Sequence, residues 1–72
     1  MTTNIVLDAQ RLRRDMSVRA MTIGSLASLA GVSAATVRRA LDGQPIQADK
    51  ARKILRALLA VEPDALLSEY VA

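Results

Sequence analysis

Two adjacent arginines near the middle of the chain offer the clearest chemistry. Arg38 and Arg39 follow a run of small and apolar residues, SAATV, at positions 33–37. A guanidinium group presents N–H donors in a planar fork that matches the paired acceptors of a phosphate or a guanine edge. The predicted chemistry is therefore recognition of an anion or a base. The alternative is that both arginines only solvate an exposed helix face.

The composition argues against catalysis and against bound metal. The 72 residues contain no His and no Cys, which are the commonest general bases, thiol nucleophiles and zinc ligands. The sequence also lacks a glycine-rich phosphate loop and a plausible pair of catalytic carboxylates. We expect a protein that is not an enzyme and that holds no metal and no cofactor.

The charged residues are distributed unevenly along the chain. Residues 1–56 carry all ten basic side chains and four acids, a net charge of +6, whereas residues 57–72 carry three acids and a net charge of −3. A basic region of this kind in a small domain is typical of a polyanion binder.

Length and composition together predict the fold class. A chain of 72 residues suffices for one small domain. Its apolar residues are mainly Ala and Leu, which favour helix over sheet, so we expect residues 1–72 to form one all-α domain, a compact bundle of about five short helices. No apolar run approaches the roughly 20 residues of a membrane span, and residues 1–10 contain no basic stretch that leads into a long apolar region. A cytoplasmic protein without membrane association is expected.

Capping residues and apolar spacing locate the helices. Asp8, Thr22 and Ser33 are predicted N-caps, and Gly31 and Gly43 are predicted stops. The expected helices cover about residues 7–19, 23–30, 34–41, 48–60 and 64–70, with a loop at 44–47. The last helix is expected to bury Leu66 or Leu67, and the fourth helix has an apolar side made of Ala51, Ile54, Leu55, Leu58 and Leu59.

The segment at 22–43, TIGSLASLAGVSAATVRRALDG, places two helices on either side of a three-residue turn. A steep crossing needs a small residue where the helices touch, a glycine in the turn and an apolar plug beside it, and Ala27, Gly31 and Val32 meet these needs. Further apolar residues would anchor both helices to the core. This pattern predicts a helix-turn-helix with residues 33–41 as its recognition helix.

The segment LASLAGVSAATVRRALDG resembles the helix-turn-helix of Cro/CI-type phage repressors and of the related XRE-type bacterial regulators. Upstream, LRRDMSVRAMT is similar to the family's first helix and loop, although Ala20 stands where the family commonly has Gly. Downstream, GQPIQADKARKILRALLAVEPDALL is similar to its closing helices. The resemblance covers about 60 of the 72 residues.

The resemblance implies a lambda-repressor-like fold and a repressor of transcription that binds double-stranded DNA. The recognition helix would enter the major groove, and the first turn of the preceding helix would meet a phosphate. Family members often have Gln where this chain has Ile23, Ala34 and Ala35, so polar readout falls to Arg39 and Arg38. The complete set of expected DNA-binding residues is Thr22, Ile23, Gly24, Ser33, Ala34, Ala35, Thr36, Arg38, Arg39, Gly43 and Gln44.

Thr22 and Ser33 have a second interpretation as simple helix caps. Arg13 and Arg14 are either phosphate contacts or solvated charges, and the same choice applies to the cations of the fourth helix, Lys50, Arg52, Lys53 and Arg56.

One such domain covers few base pairs, so we expect a homodimer on a pseudo-palindromic operator. The candidate dimer surfaces are the C-terminal segment, with Leu67, Tyr70 and Val71, and the N-terminal arm at 3–6. The alternative is that these residues cap the core of a monomer. No small-molecule effector is evident.

Two other interpretations remain open. The headpiece of lac-type repressors has a similar local motif, but there the motif opens the chain and a large effector domain follows, whereas about 20 residues precede it here. The second interpretation is that the chain is a helical protein-interaction module, such as an antitoxin or an adaptor. Large apolar residues exposed on the recognition helix would favour that module.

Overall fold

The computed structural model describes residues 3–72 and is mostly helical. Two short antiparallel strands pair Asn4 with Gln47 and Ile5 with Ile46. Among the described residues, no helix has both the length and the apolar character that crossing a membrane requires. In chain order the elements are β1 (Asn4–Ile5), α1 (Ala9–Ser17), α2 (Ile23–Ala30), α3 (Ala34–Leu41), β2 (Ile46–Gln47), α4 (Ala48–Leu59) and α5 (Ala65–Tyr70).

The five predicted helices are confirmed, and the two strands correct the expectation of a purely helical domain. Residues 44–47 were expected to form a loop, but they contain β2. The N-terminal arm was a candidate dimer surface, but β1 pairs with β2 of the same chain. The backbone N–H of Ala48 also donates to the carbonyl of Thr3 at 2.8 Å, so the backbone of the arm is engaged within the monomer.

The predicted N-caps of the first three helices are confirmed. The Asp8 carboxylate accepts the backbone N–H of Arg11 at 3.1 Å. Thr22 and Ser25 form a reciprocal pair, in which each hydroxyl accepts the other's backbone N–H, at 3.0 and 2.8 Å. The hydroxyl of Ser33 accepts the N–H of Thr36 at 3.2 Å. Each side chain satisfies a donor that the first helical turn leaves unpaired.

The same three helices also end alike. Gly31 (φ 73°) and Gly43 (φ 72°) take the left-handed conformation just after α2 and α3, and Ala20 (φ 55°) takes it after α1. In each case the next residue donates its N–H back into the last turn, as Met21 does to the carbonyl of Met16 at 2.9 Å. This is the Schellman motif. At Ala20 the side chain makes that conformation costly, since Cβ crowds the backbone there.

The core lies between the first four helices. α2 packs on α3 and α4, and α1 packs on α3. The completely buried large side chains are Leu26, Val37, Ile54 and Leu58. Val32, the predicted plug in the turn, is half-buried and packs against this core.

The predicted apolar side of α4 is partly wrong. Ala51, Ile54 and Leu58 are buried as members of the core, but Leu55 and Leu59 are exposed and Ala57 is buried instead. Apolar residues cover a wide arc of this helix, and α2 and α3 cover only part of that arc. The consequence is an apolar strip on α4 that the chain itself leaves in contact with solvent.

The C-terminal segment is held mainly by polar contacts. α5 has no buried residue: Leu66 is exposed and Leu67 is half-buried, so the expected burial there is only partial. The backbone N–H of Asp64 donates to the carbonyl of Val18 at 2.7 Å. The guanidinium of Arg19 donates to the carbonyl of Val61 at 2.7 Å. These bonds attach the loop before α5 to the end of α1.

Candidate nucleic-acid interface

α3 presents two chemically different faces. Its apolar residues recur at spacings of three and four, which places them on one side of the helix. That side anchors α3 to the core, while two small and two cationic side chains face solvent. The buried residues are Val37, Ala40 and Leu41, and the exposed ones are Ala34, Ala35, Arg38 and Arg39.

The first turn of α3 is held by hydroxyl groups. Ser33 accepts the backbone N–H of Thr36, and the hydroxyls of these two residues also contact each other at 2.9 Å. Ser33 is exposed and Thr36 is half-buried. The capping role of Ser33 is thus clear, and the bond to Thr36 fixes the start of the exposed face.

The first turn of α2 offers backbone donors rather than side chains. The hydroxyl group of Thr22 is already used in the reciprocal cap, where it accepts the backbone N–H of Ser25. Ile23 is half-buried and its side chain packs against the core, so its side chain serves the fold. Gly24 is exposed. The N–H groups of Ile23 and Gly24 have no acceptor within the helix, and the helix dipole makes this end attractive to an anion.

The residues after α3 differ from expectation. Gly43 and Gln44 are among the expected DNA-binding residues, and a phosphate could bind there through their backbone N–H groups. The structure uses both in the cap, where Gly43 donates to Ala40 at 3.2 Å and Gln44 donates to Arg39 at 3.0 Å. The exposed side chain of Gln44 is the part of this turn that remains available to a ligand.

A polar cleft of about 220 Å³ lies beside Arg39. One guanidinium nitrogen of Arg39 donates to the carbonyl of Pro45 at 3.3 Å on the exposed surface. The cleft combines two cationic side chains with amide groups and a hydroxyl. Its lining residues are Asn4, Thr36, Arg39, Pro45, Ile46, Gln47 and Lys50.

Three polar members of this cleft, Lys50, Asn4 and Gln47, are absent from the expected DNA-binding residues. Lys50 was only one of four cations on α4, and nothing in the local sequence associates it with Arg39. Asn4 and Gln47 come together because β1 pairs with β2. These strands are two residues long, too short to show a periodic pattern.

Several other cations have partners within the chain. Arg13 donates to the carbonyl of Leu41 at 2.9 Å, at the end of α3. Arg14 donates to the carbonyl of Val71 at 3.0 Å. Both bonds connect α1 to other parts of the fold. Arg13 and Arg14 therefore have a structural role in addition to the two roles expected from the sequence, phosphate contact or solvated charge.

The predicted dimer residues of the C-terminal segment are unequally exposed. Tyr70 is 84% exposed, whereas Leu67 and Val71 are half-buried. The bond from Arg14 holds the backbone at Val71. Of these three residues, Tyr70 presents the largest free surface.

No family model, curated protein or solved structure matches this chain. The residues of the candidate interface provide an anchored helix with a cationic outer face, unpaired N–H groups at the start of α2 and a polar cleft next to Arg39. This set of donors is suited to phosphate groups and base edges.

Proposed function

We propose that the protein is a sequence-specific regulator of transcription that binds double-stranded DNA, in the manner of Cro/CI-type repressors. In this proposal α2 and α3 form a helix-turn-helix, and α3 is the recognition helix. The observation that carries the proposal is the outer face of α3, where Arg38 and Arg39 are exposed beside two alanines on a helix with a buried opposite face. The proposal includes no catalytic activity, metal or cofactor.

The two kinds of exposed side chain on α3 have complementary tasks. Ala34 and Ala35 are short, so the helix can lie deep in the major groove and touch thymine methyl groups. Arg39 can donate two hydrogen bonds to O6 and N7 of guanine, a contact worth about 1–3 kcal/mol of discrimination. To do so it exchanges its long, exposed bond to the Pro45 carbonyl for the base.

Backbone contacts would position α3 on the duplex. The N–H groups of Ile23 and Gly24 would receive one phosphate at the start of α2. Lys50 would place its ammonium group near another phosphate, beside Arg39 in the polar cleft. Such contacts set orientation and supply salt-dependent affinity without reading sequence.

The proposed active species is a homodimer on a pseudo-palindromic operator, since one domain of this size covers few base pairs. A regulator of this type would act in the cytoplasm of a bacterial cell.

The rival function, a protein-interaction module, has less support. Docking of a protein on α3 would call for large apolar side chains on its exposed face. The large apolar residues of the described chain that are exposed all lie outside α3. The charge and size of the α3 face therefore favour DNA.

Binding to a labelled duplex, followed by fluorescence anisotropy as salt is raised, tests the proposal. The wild-type protein should bind at low salt at concentrations on the order of tens of micromolar, and affinity should fall steeply as salt rises because binding releases counterions. Arg38→Ala combined with Arg39→Ala should weaken binding by about tenfold or more.

The control is Lys53→Ala, which removes one exposed positive charge from α4, half the charge lost in the double variant, and should change affinity by less than about threefold. All of these side chains are exposed, so the thermal unfolding transition should stay the same. Absence of wild-type binding at low salt would contradict the proposal. Equal effects of the double variant and the control would move the interface away from α3.

A further inference from the structure

We infer that the polar cleft beside Arg39 is a phosphate-binding site in which Lys50, Asn4 and Gln47 together hold the anion. The proposed function gives only Lys50 a role there, and the two amides of the β1–β2 ladder complete the site. Where the phosphate is that of a DNA backbone, the site rests on the proposed function. A free phosphate anion presents the same chemistry and is the other source.

The positive charges in the cleft have no counter-charge within the chain. The lining includes the cations Arg39 and Lys50 but no acidic side chain. Within residues 3–72 the only ion pair joins Arg19 to Asp15, so neither cation of the cleft is paired with a carboxylate. Lys50 is half-buried, which reduces the solvation of its charge. Like charges that share a cleft repel each other, and an anion between them relieves that repulsion.

Backbone pairing places two amide side chains in the same cleft. Asn4 lies directly opposite Gln47 in the β1–β2 ladder, so their side chains are on the same face of the ladder. Ile5 and Ile46 lie on the other face, where Ile46 is buried and Ile5 packs against the core. A shift of register by one residue would move these isoleucines into solvent. The core therefore keeps both amides on the outer face, where they line the cleft.

The fold makes no use of these polar groups. The N-caps of the other four helices each accept a backbone N–H through the side chain, whereas Gln47, the N-cap of α4, does not. In the chain from residue 3 to residue 72, the side chains of Asn4, Gln47 and Lys50 take part in no hydrogen bond. Their donors are therefore available to a ligand.

The arrangement of the donors suits a phosphate group. The ammonium group of Lys50 and the amide groups of Asn4 and Gln47 come from three different elements, α4, β1 and β2. A tetrahedral phosphate offers lone pairs in several directions, whereas a carboxylate offers them in one plane. Arg39 adds its positive charge from α3 and keeps its donors for a base edge. The site thus places a phosphate next to the proposed guanine contact.

Titration of the isotope-labelled full chain with inorganic phosphate tests the site without DNA, with chloride keeping the ionic strength constant. The side-chain NH₂ resonances of Asn4 and Gln47 should shift and saturate, with a dissociation constant on the order of 10 mM or below. Those of Gln10, an exposed amide on α1, should not. Lys50→Ala should weaken phosphate binding by at least about threefold. Lys53→Ala removes the same charge from the same helix and should change it by less than about 1.5-fold.

Fluorescence anisotropy with a labelled duplex tests DNA as the source of the phosphate. Gln47→Glu keeps the size of the side chain and replaces N–H donors by a negative charge, and Gln10→Glu makes the same change in a different groove. Gln47→Glu should weaken binding by at least about fivefold because like charges repel at close range, and Asn4→Asp should act in the same way. Gln10→Glu should have less than about a twofold effect. The loss in Gln47→Glu should be equal for every duplex sequence, since phosphate contacts do not read bases. All three side chains are exposed, so the thermal unfolding transition should stay the same.

The two experiments together identify the ligand. A selective effect of Gln47→Glu on duplex binding, with or without saturable phosphate shifts, supports a backbone phosphate. Saturable shifts without that effect support a free phosphate anion. The inference is overturned if the amides show no saturable shift and Gln47→Glu acts no more strongly than Gln10→Glu. A loss confined to one duplex sequence also overturns it, because that result indicates a base contact. Absence of wild-type DNA binding would contradict the proposed function, and the phosphate titration would still decide the fate of the cleft.

Discussion

α3 and α5 are both short helices with side-chain N-caps, but they are attached to the molecule differently. α3 buries one complete face in the core and exposes a cationic one. α5 buries no residue, and the segment that contains it is tied down by hydrogen bonds from Arg14 and Arg19 to backbone carbonyls. Apolar burial fixes a helix along its length, whereas bonds at its ends fix only those ends. α3 is thus the helix suited to precise recognition.

The largest expected effect comes from making the same truncation in both helices. Leu41 in α3 is 7% exposed and Leu66 in α5 is 71% exposed. Leu41→Ala should lower the free energy of unfolding by about 2–4 kcal/mol, because it opens a cavity in the core. Leu66→Ala should lower it by less than about 0.5 kcal/mol. Urea unfolding followed by circular dichroism measures both, and equal losses would refute the contrast.

A smaller effect is expected from cutting the attachment of α5. The Arg19 guanidinium bonds the carbonyls of Val61 and Asp15, at 2.7 and 2.9 Å. Arg19→Ala should lower the free energy of unfolding by about 1–2 kcal/mol, because it removes hydrogen bonds donated by a charged group that is largely shielded from solvent. Amide hydrogen exchange should accelerate in residues 61–71 well before it does in α3.

Arg14→Ala is the matched control for this prediction. Arg14 donates one exposed hydrogen bond to the carbonyl of Val71, so Arg14→Ala should lower the free energy of unfolding by less than about 0.5 kcal/mol. If Arg19→Ala accelerated exchange equally in α3 and α5, the two helices would belong to one cooperative unit.

The contrast between α3 and the attachment of α5 also extends to single residues that end helices in the left-handed conformation. Gly43 closes α3 with φ 72°, and Ala20 closes α1, next to the attachment point of α5, with φ 55°. Gly43→Ala should destabilise by about 1 kcal/mol, because Cβ is disfavoured in the left-handed region. Ala20→Gly should stabilise by a few tenths of a kcal/mol up to about 1 kcal/mol, after the greater flexibility of the unfolded chain is subtracted. Thermal unfolding of both variants checks the signs, and loss of stability in Ala20→Gly would contradict the argument.

Local features of the fold were the most predictable from sequence. The caps at Asp8, Thr22 and Ser33 and the stops at Gly31 and Gly43 depend on neighbouring residues alone, and all five are confirmed. The division of α3 into a buried and an exposed face is also local, because it follows from helical spacing. Most of the candidate interface belongs to this local category.

Features that depend on distant residues were not predictable. The pairing of Asn4 with Gln47 has no local signal. The exposure of Leu55 and Leu59 depends on how much of α4 its neighbours cover, which periodicity does not reveal. The bonds from Arg13, Arg14 and Arg19 to carbonyls likewise depend on the final packing, so the sequence identified these side chains only as cations.

Selection of bound duplexes from a random DNA library tests the central claim most directly, with the wild-type protein and Arg39→Ala selected in parallel. The account predicts that the wild type enriches a two-fold symmetric consensus with a guanine in each half-site, and that Arg39→Ala loses preference for that guanine while it keeps the rest. Enrichment of no consensus by a folded wild-type protein that binds the library, or failure to retain DNA at low salt, would contradict sequence-specific recognition by α3.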